Sequence, residues 1–283
     1  MLITDLQYSY AGTIVLNIPK LPIPRSAIYG LTGPNGAGKT TLLSLLAGIL
    51  PLQRGQIETD GPCGLLLQQT SLYPEMTGYQ NLAYYCALNG LGSAGVPQML
   101  DLARIDRDTA CRPVRTLSQG NRQRLLIARA FLSPSHYILL DEPFSTVDVP
   151  SILLMKEAIR DYVRDYRKTV IISSHQLRDI EDLITHGVII KQGRVVYTFD
   201  KKVAEEEQNS RMKIYCQEVP KELLRYLQKA GYSYDTSEGT VTIYGLSEPQ
   251  RWETVEACRN QQVPLIRIDF QSSLEDLFIE KIR

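Results

Sequence analysis

Short apolar runs of strand length recur through the first two-thirds of the chain. Leu2-Ile3 and Ile14-Val15-Leu16 are brief, and a stretch marked by Pro19, Pro22 and Pro24 follows. Residues 26–31 read as a buried strand, followed by a glycine-rich turn and a helical run over 39–50. Leu65-Leu66-Leu67 is another strand candidate. From about residue 79 to 132 the apolar spacing is helical, with turns near residues 90–95 and at Pro113. Tyr137-Ile138-Leu139-Leu140, Val170-Ile171-Ile172 and Val188-Ile189-Ile190 are unbroken apolar runs, as strands buried on both faces require. Helical spacing separates them, most clearly over 151–167. Strands alternating with helices predict an α/β sheet covered by helices on both faces.

Polarity rises across residues 201–210, which read as a linker. Beyond it the pattern predicts a strand at 212–216 and a helix at 220–230. A strand pair around Ser237-Glu238-Gly239, a helix at 248–260, a strand at 265–270 and a last helix at 274–282 follow. The order βαββαβ is the ferredoxin-like pattern. The expected organisation is therefore a large domain over 1–207 and a small α+β domain over 208–283.

Bulk properties narrow the function. Of 283 residues, 43% are hydrophobic and 22% charged, so a sizeable core is available. Lys+Arg and Asp+Glu both number 31, which speaks against the broad basic face that nucleic acid needs. Arg160, Arg164, Arg167 and Lys168 are interleaved with Asp161 and Asp165, the pattern of a salt-bridged solvated face. No run approaches the roughly 18 apolar residues of a membrane span, and the first residues lack the basic-then-apolar order of a signal peptide. The five cysteines form no CxxC pair, so a zinc site or disulfide framework is not expected and a reducing cytosol is.

Three motifs carry chemistry. Gly33-Pro34-Asn35-Gly36-Ala37-Gly38-Lys39-Thr40, with Thr41 behind it, fits G-x-x-x-x-G-K-[ST] between a strand and a helix. Glycines let the backbone N–H groups curl around phosphate, and the helix start adds its positive dipole end. Lys39 would reach the β- and γ-phosphates of ATP, and Thr40 would hold Mg²⁺. Tyr137 to Leu140 lead into Asp141 and Glu142. Asp141 at the strand tip suits the Mg²⁺ shell, and Glu142 suits polarising a water.

The third motif is the most specific. Leu117-Ser118-Gln119-Gly120-Asn121-Arg122-Gln123-Arg124 resembles the signature peptide of ATP-binding cassette (ABC) ATPases, whose common form is LSGGQ followed by basic and Gln residues. Ser118 and Gly120 match that form; Gln119 and Asn121 depart from it. Ser118 can also cap the following helix. Further matches fall in order. Gln68 and the segment after it are similar to the family's Q-loop; Gln69 is the neighbouring candidate, and the downstream Leu-Tyr-Pro register favours Gln68. His175, after an apolar run and before an expected helix, looks like the switch histidine. Ser145 to Asp148 look like the D-loop. Tyr10 lies where the family places an adenine-stacking aromatic, with Tyr8 as competitor.

The resemblance covers about residues 1–200. It implies a P-loop NTPase core with a mixed sheet, an antiparallel β subdomain and a helical subdomain near 72–133. It implies two subunits, as a homodimer or heterodimer, that sandwich ATP. Lys39, Thr40, Gln68, Asp141, Glu142 and His175 would come from one subunit, and Ser118 and Gly120 from the other. Gln68 would contact Mg²⁺ or the attacking water. A separate transmembrane permease would dock near Gln68 and residues 72–82, which puts the chain on the cytoplasmic face of a membrane, in a bacterium. The tail Ser272-Ser273-Leu274-Glu275-Asp276-Leu277-Phe278 resembles that of ATPases driving drug, antibiotic or lipid exporters. A non-transport ABC ATPase acting on DNA or ribosomes is the alternative. The interval from 39 to 118 is too short for the coiled-coil insertion of DNA types, and ribosomal types carry two cassettes.

Overall fold

The structure is a computed structural model, and it describes residues 1–61, 63–67, 71–204, 211–261 and 263–270. Strands β1 (Leu2–Tyr10), β2 (Thr13–Pro22) and β4 (Arg54–Glu58) form an antiparallel sheet in the order β2-β1-β4. Leu6 stands opposite Ile18, and Leu2 opposite both Pro22 and Glu58. The hairpin is longer than the sequence pattern suggests, because β2 continues through Pro19 and Pro22. Proline lacks an amide donor, and a strand at the border of its sheet tolerates that loss.

The second sheet is built around β3 (Ile28–Thr32). Its order is β5 (Gly64–Leu66), β6 (Tyr137–Asp141), β7 (Thr169–Ser174), β3, β8 (His186–Lys191) and β9 (Arg194–Asp200). From β5 to β8 the neighbours run parallel. All residues of β3, β6 and β7 are buried, which explains their unbroken apolar runs. Leu6, Leu16 and Ile18 join Leu31, Leu43, Tyr137 and Val188 in one core between the two sheets and α1 (Lys39–Leu46).

A helical region interrupts the chain between β5 and β6. It comprises α2 (Gly78–Leu88), α3 (Val96–Leu102), α4 (Arg107–Ala110) and α5 (Gln119–Phe131). Local capping sets three of these starts. Thr77 and Gln80 close a reciprocal capping box on α2, while the Asp106 and Ser118 side chains accept from Thr109 N and Asn121 N. Helix α6 (Val149–Tyr166) follows β6, and Phe131 of α5 stacks on its Tyr162 at 3.9 Å. Arg164 pairs with Asp161 at 2.8 Å and Asp165 at 2.7 Å, as a salt-bridged face requires.

One expected helix is absent. After His175 the chain makes only a single 3-10 turn, Leu177–Asp179, before β8 begins at His186. Leu177, Ile180, Leu183 and Ile184 are all buried, so the short connection spends its residues on anchoring turns rather than on a continuous helix.

The chain divides into two compact units at Thr198/Phe199. The second has its own core under an antiparallel sheet ordered β11 (Ser233–Ser237), β12 (Thr240–Tyr244), β10 (Met212–Cys216), β13 (Leu265–Asp269). Helices α7 (Lys221–Ala230) and α8 (Glu248–Asn260) complete a βαββαβ order. The expected helix at 274–282 and the tail peptide lie outside the described residues.

Candidate active site at the ends of the parallel strands

The site sits where β3, β6 and β7 end, the edge at which parallel sheets present functional groups. Residues 33–38 leave β3 and turn into α1. Gly38 caps α1 with φ +102, which strains any residue with a Cβ, and a Cβ there would lie 2.7 Å from Leu16 Cδ2. The turn aims backbone amides and the helix N-terminus at a pocket of about 500 Å³. Asn35 to Thr41, Val15, Glu142, Ser145 and His175 line it.

Lys39 is only 6% exposed. Its ammonium donates to the carbonyls of Gly33 at 2.8 Å and Pro34 at 3.3 Å, and lies 3.7 Å from Glu142 Oε1. Burial lowers its pKa from 10.5, opposed by the Glu142 and Asp141 carboxylates. Gly33 and Pro34 thus act through their carbonyls.

Thr40 Oγ1 donates to Asp141 Oδ2 at 2.8 Å. Ser173 Oγ donates to Asp141 Oδ1 at 2.6 Å and accepts from Glu142 N at 2.8 Å. Ser173 is a positioning residue that the motif reading missed; its signal was a hydroxyl at the tip of the neighbouring strand. Glu142 adopts φ +48, an uncommon conformation for a residue with a Cβ, and its carbonyl accepts from Ser145 N and Oγ. Its Oε2 lies 2.9 Å from His175 Nδ1. On the far side of the ring, Gln176 Nε2 lies 3.2 Å from His175 Nε2. An ionised carboxylate only accepts, so the Glu142 contact calls for an N–H on His175 Nδ1.

The donor set fits Mg²⁺. Thr40 and Asp141 offer hard oxygens side by side, and no group of three or more His, Cys, Asp or Glu suited to a metal occurs among the described residues. Two protein oxygens, with phosphate and water completing the shell, is the regime of a magnesium–nucleotide complex.

Other expected residues lie apart. Ser118 caps α5 at 3.2 Å, and Asp148 caps α6, accepting from Ser151 N at 3.2 Å. Neither these nor Gly120 lines the pocket. Tyr10 is 47% exposed near the β1–β2 turn, its ring edge-on to Tyr8 at 5.1 Å, and it too is outside the lining. Gln68 falls outside the described residues. A second groove of about 450 Å³ is lined by Ser71, Leu72, Tyr73, Pro74, Asn81, Tyr84, Tyr85, Leu88 and Arg129. No described helix is long and apolar enough to cross a membrane.

Comparisons with known proteins bear on the family and the fold. The family model described as ABC transporter matches residues 16–145. The lantibiotic transport ATP-binding protein SrtF of Streptococcus pyogenes is 30% identical, over 69% of this chain and 88% of that protein. The Nod factor export ATP-binding protein I of Cupriavidus pinatubonensis is 28% identical, over 96% of this chain and 87% of that one. A dimeric post-hydrolysis structure of the cassette MJ0796, bound to ADP and Pi, superposes with a TM-score of 0.61. It is 21% identical and covers 71% of this chain and 99% of its own.

Proposed function

The chain belongs to the ABC transporter family as an ATP-binding subunit, and from that footing we propose that it hydrolyses Mg-ATP and drives export through a separate membrane permease. The observation that carries hydrolysis is the position of the Glu142 carboxylate, bracketed by Lys39 Nζ at 3.7 Å and His175 Nδ1 at 2.9 Å beside the phosphate loop. Lys39, the loop amides and the α1 N-terminus hold the phosphates. Thr40 and Asp141, with Gln68, would hold Mg²⁺, which would supply charge neutralisation for the transferred group. Glu142 accepts a proton from the attacking water, and His175 holds the geometry. Phosphoryl transfer is mainly positioning and electrostatic stabilisation, and this set supplies both.

Among the described residues the phosphate pocket is lined by Val15, Asn35 to Thr41, Glu142, Ser145 and His175. Ser118 and Gly120 lie elsewhere, which supports a second subunit, identical or related, presenting its signature helix to the γ-phosphate. Asp148 contacts the facing subunit, and Tyr10 stacks on adenine. Closure on ATP and reopening after hydrolysis form the mechanical output. The groove beside Tyr73 and Tyr84 receives the permease, which places the chain on the cytoplasmic face of a bacterial plasma membrane. Export is supported by the tail peptide and by the relative named for Nod factor export.

The decisive experiment is ATP turnover by the purified chain and its Glu142→Gln variant. Glu142→Gln should bind Mg-ATP, accumulate as an ATP-bound dimer and lose turnover by about 10²-fold or more. Normal turnover in that variant would remove Glu142 from the reaction.

A further inference from the structure

The signature peptide departs from its family's common form at Gln119 and Asn121, and the structure gives Asn121 a definite partner. Arg124 Nη2 donates to Asn121 Oδ1, one helical turn away on α5. The same guanidinium, through Nη1, donates to the carbonyls of Arg104 and, at 3.5 Å, Ala103. These carbonyls lie just past the end of α3, where Ala103 is buried and Arg104 takes φ +59. One planar fork therefore joins the first turn of α5 to the end of a different helix. Arginine suits this, because its N–H groups leave in fixed directions.

Two further contacts make the same turn a single body with the start of α6. A Cβ on Gly120 would meet Ser151 Oγ at 2.0 Å and Asp148 Oδ1 at 3.0 Å, so the α5 backbone rests directly on the α6 cap. The carboxylates that face Arg124 electrostatically are Asp106, at the start of α4, and Asp148. Burial lowers the guanidinium's pKa, and its Nε is buried without a hydrogen-bond partner among the described residues. The guanidinium is half-buried and turned onto the protein's own carbonyls.

We propose that Arg124 is a positioning residue for ATP hydrolysis at the facing subunit, holding the turn from Ser118 to Asn121 through the Asn121 side chain and the Ala103–Arg104 carbonyls. This rests on the reading that Ser118 and Gly120 complete a neighbour's phosphate site. Asn121 is then a tether and not a direct ligand of nucleotide. Slackening the tether moves the signature turn relative to the phosphate without touching the chain's own phosphate loop. Its effect therefore falls on turnover and on ATP-driven dimerisation, not on ATP binding by a single subunit.

The test uses the full chain with Arg124→Ala, Asn121→Ala and both together. Each is measured for kcat at saturating Mg-ATP, for ATP affinity by calorimetry at monomeric concentration, and for thermal midpoint. Asn121 is half-buried and its truncation removes one side-chain hydrogen bond, so that variant folds even if Arg124→Ala does not. The expected result is a fall in kcat of about tenfold or more, the scale of a displaced reacting partner. ATP affinity should stay within about twofold, and the double variant should be no worse than Arg124→Ala alone. Unchanged kcat in Asn121→Ala, additive losses in the pair, or a matching loss of single-subunit ATP affinity would each overturn the tether. A wild-type chain that neither dimerises on ATP nor turns it over would overturn the facing-subunit reading, and the tether with it. An active wild type with unaffected variants would overturn the tether alone.

Discussion

His175 Nδ1 and Glu142 Oε2 stand 2.9 Å apart, although the two residues are 33 positions apart in sequence. The contact follows from β6 and β7 being parallel neighbours that end at the same level, with Asp141 opposite Ser173. The imidazole fixes the carboxylate's direction. Replacing His175 with Ala should lower turnover by about 10- to 100-fold while leaving Mg-ATP affinity nearly unchanged. Steady-state kinetics beside calorimetry checks this, and a parallel loss of affinity would argue against it.

Lys39→Ala removes the one cation buried in the phosphate loop's own carbonyl ring. A charge-assisted contact to phosphate is lost, so ATP affinity should drop by about tenfold or more. Calorimetric titration with ATP is the direct readout. Affinity equal to wild type would place the phosphates elsewhere.

The same lysine predicts a pH effect on stability. Its folded pKa lies below 10.5, so between the folded value and 10.5 the unfolded chain binds more protons than the folded one. Stability then rises with pH across that window. Lys39→Met cannot titrate there. The wild-type thermal midpoint should therefore climb relative to Lys39→Met as pH approaches 10.5 from below. A constant difference would contradict the burial of the ammonium.

Gly38→Ala meets two obstacles at once, a positive φ and Leu16 at 2.7 Å. The expected cost is about 2–3 kcal/mol of stability. Chemical denaturation measures it. A stable variant with normal ATP binding would show that the loop can yield by moving Leu16.

The parts legible in sequence are those with the strongest local signal. Strands β3, β6, β7 and β8 are apolar along their length because the sheet buries both faces, and the phosphate loop announces itself through its glycines. Strand β4 escaped notice, since Arg54, Gln56 and Glu58 face solvent and only Gly55 and Ile57 turn partly inward. Strand β9 likewise alternates exposed positions with half-buried ones, apart from the buried Phe199. The helix expected after His175 failed because apolar spacing reports burial, and four buried residues in that connection serve anchoring turns instead. Ser173 carried no motif. Its importance comes from lying opposite Asp141 across a strand pair, a relation that spacing along one chain does not express. Asn121 departs from the common signature form, and its bond to Arg124 is a side-chain relation that the motif alone does not express.

The outermost strand of the antiparallel sheet, β2, has prolines at two of its ten positions. An open border of hydrogen-bonding groups invites a stranger's backbone to continue the ladder, which is how folded chains begin to clump. Pro19 and Pro22 remove rungs from that ladder. The chain is thereby steered away from indiscriminate stacking along that edge, and orderly association is left to its other surfaces.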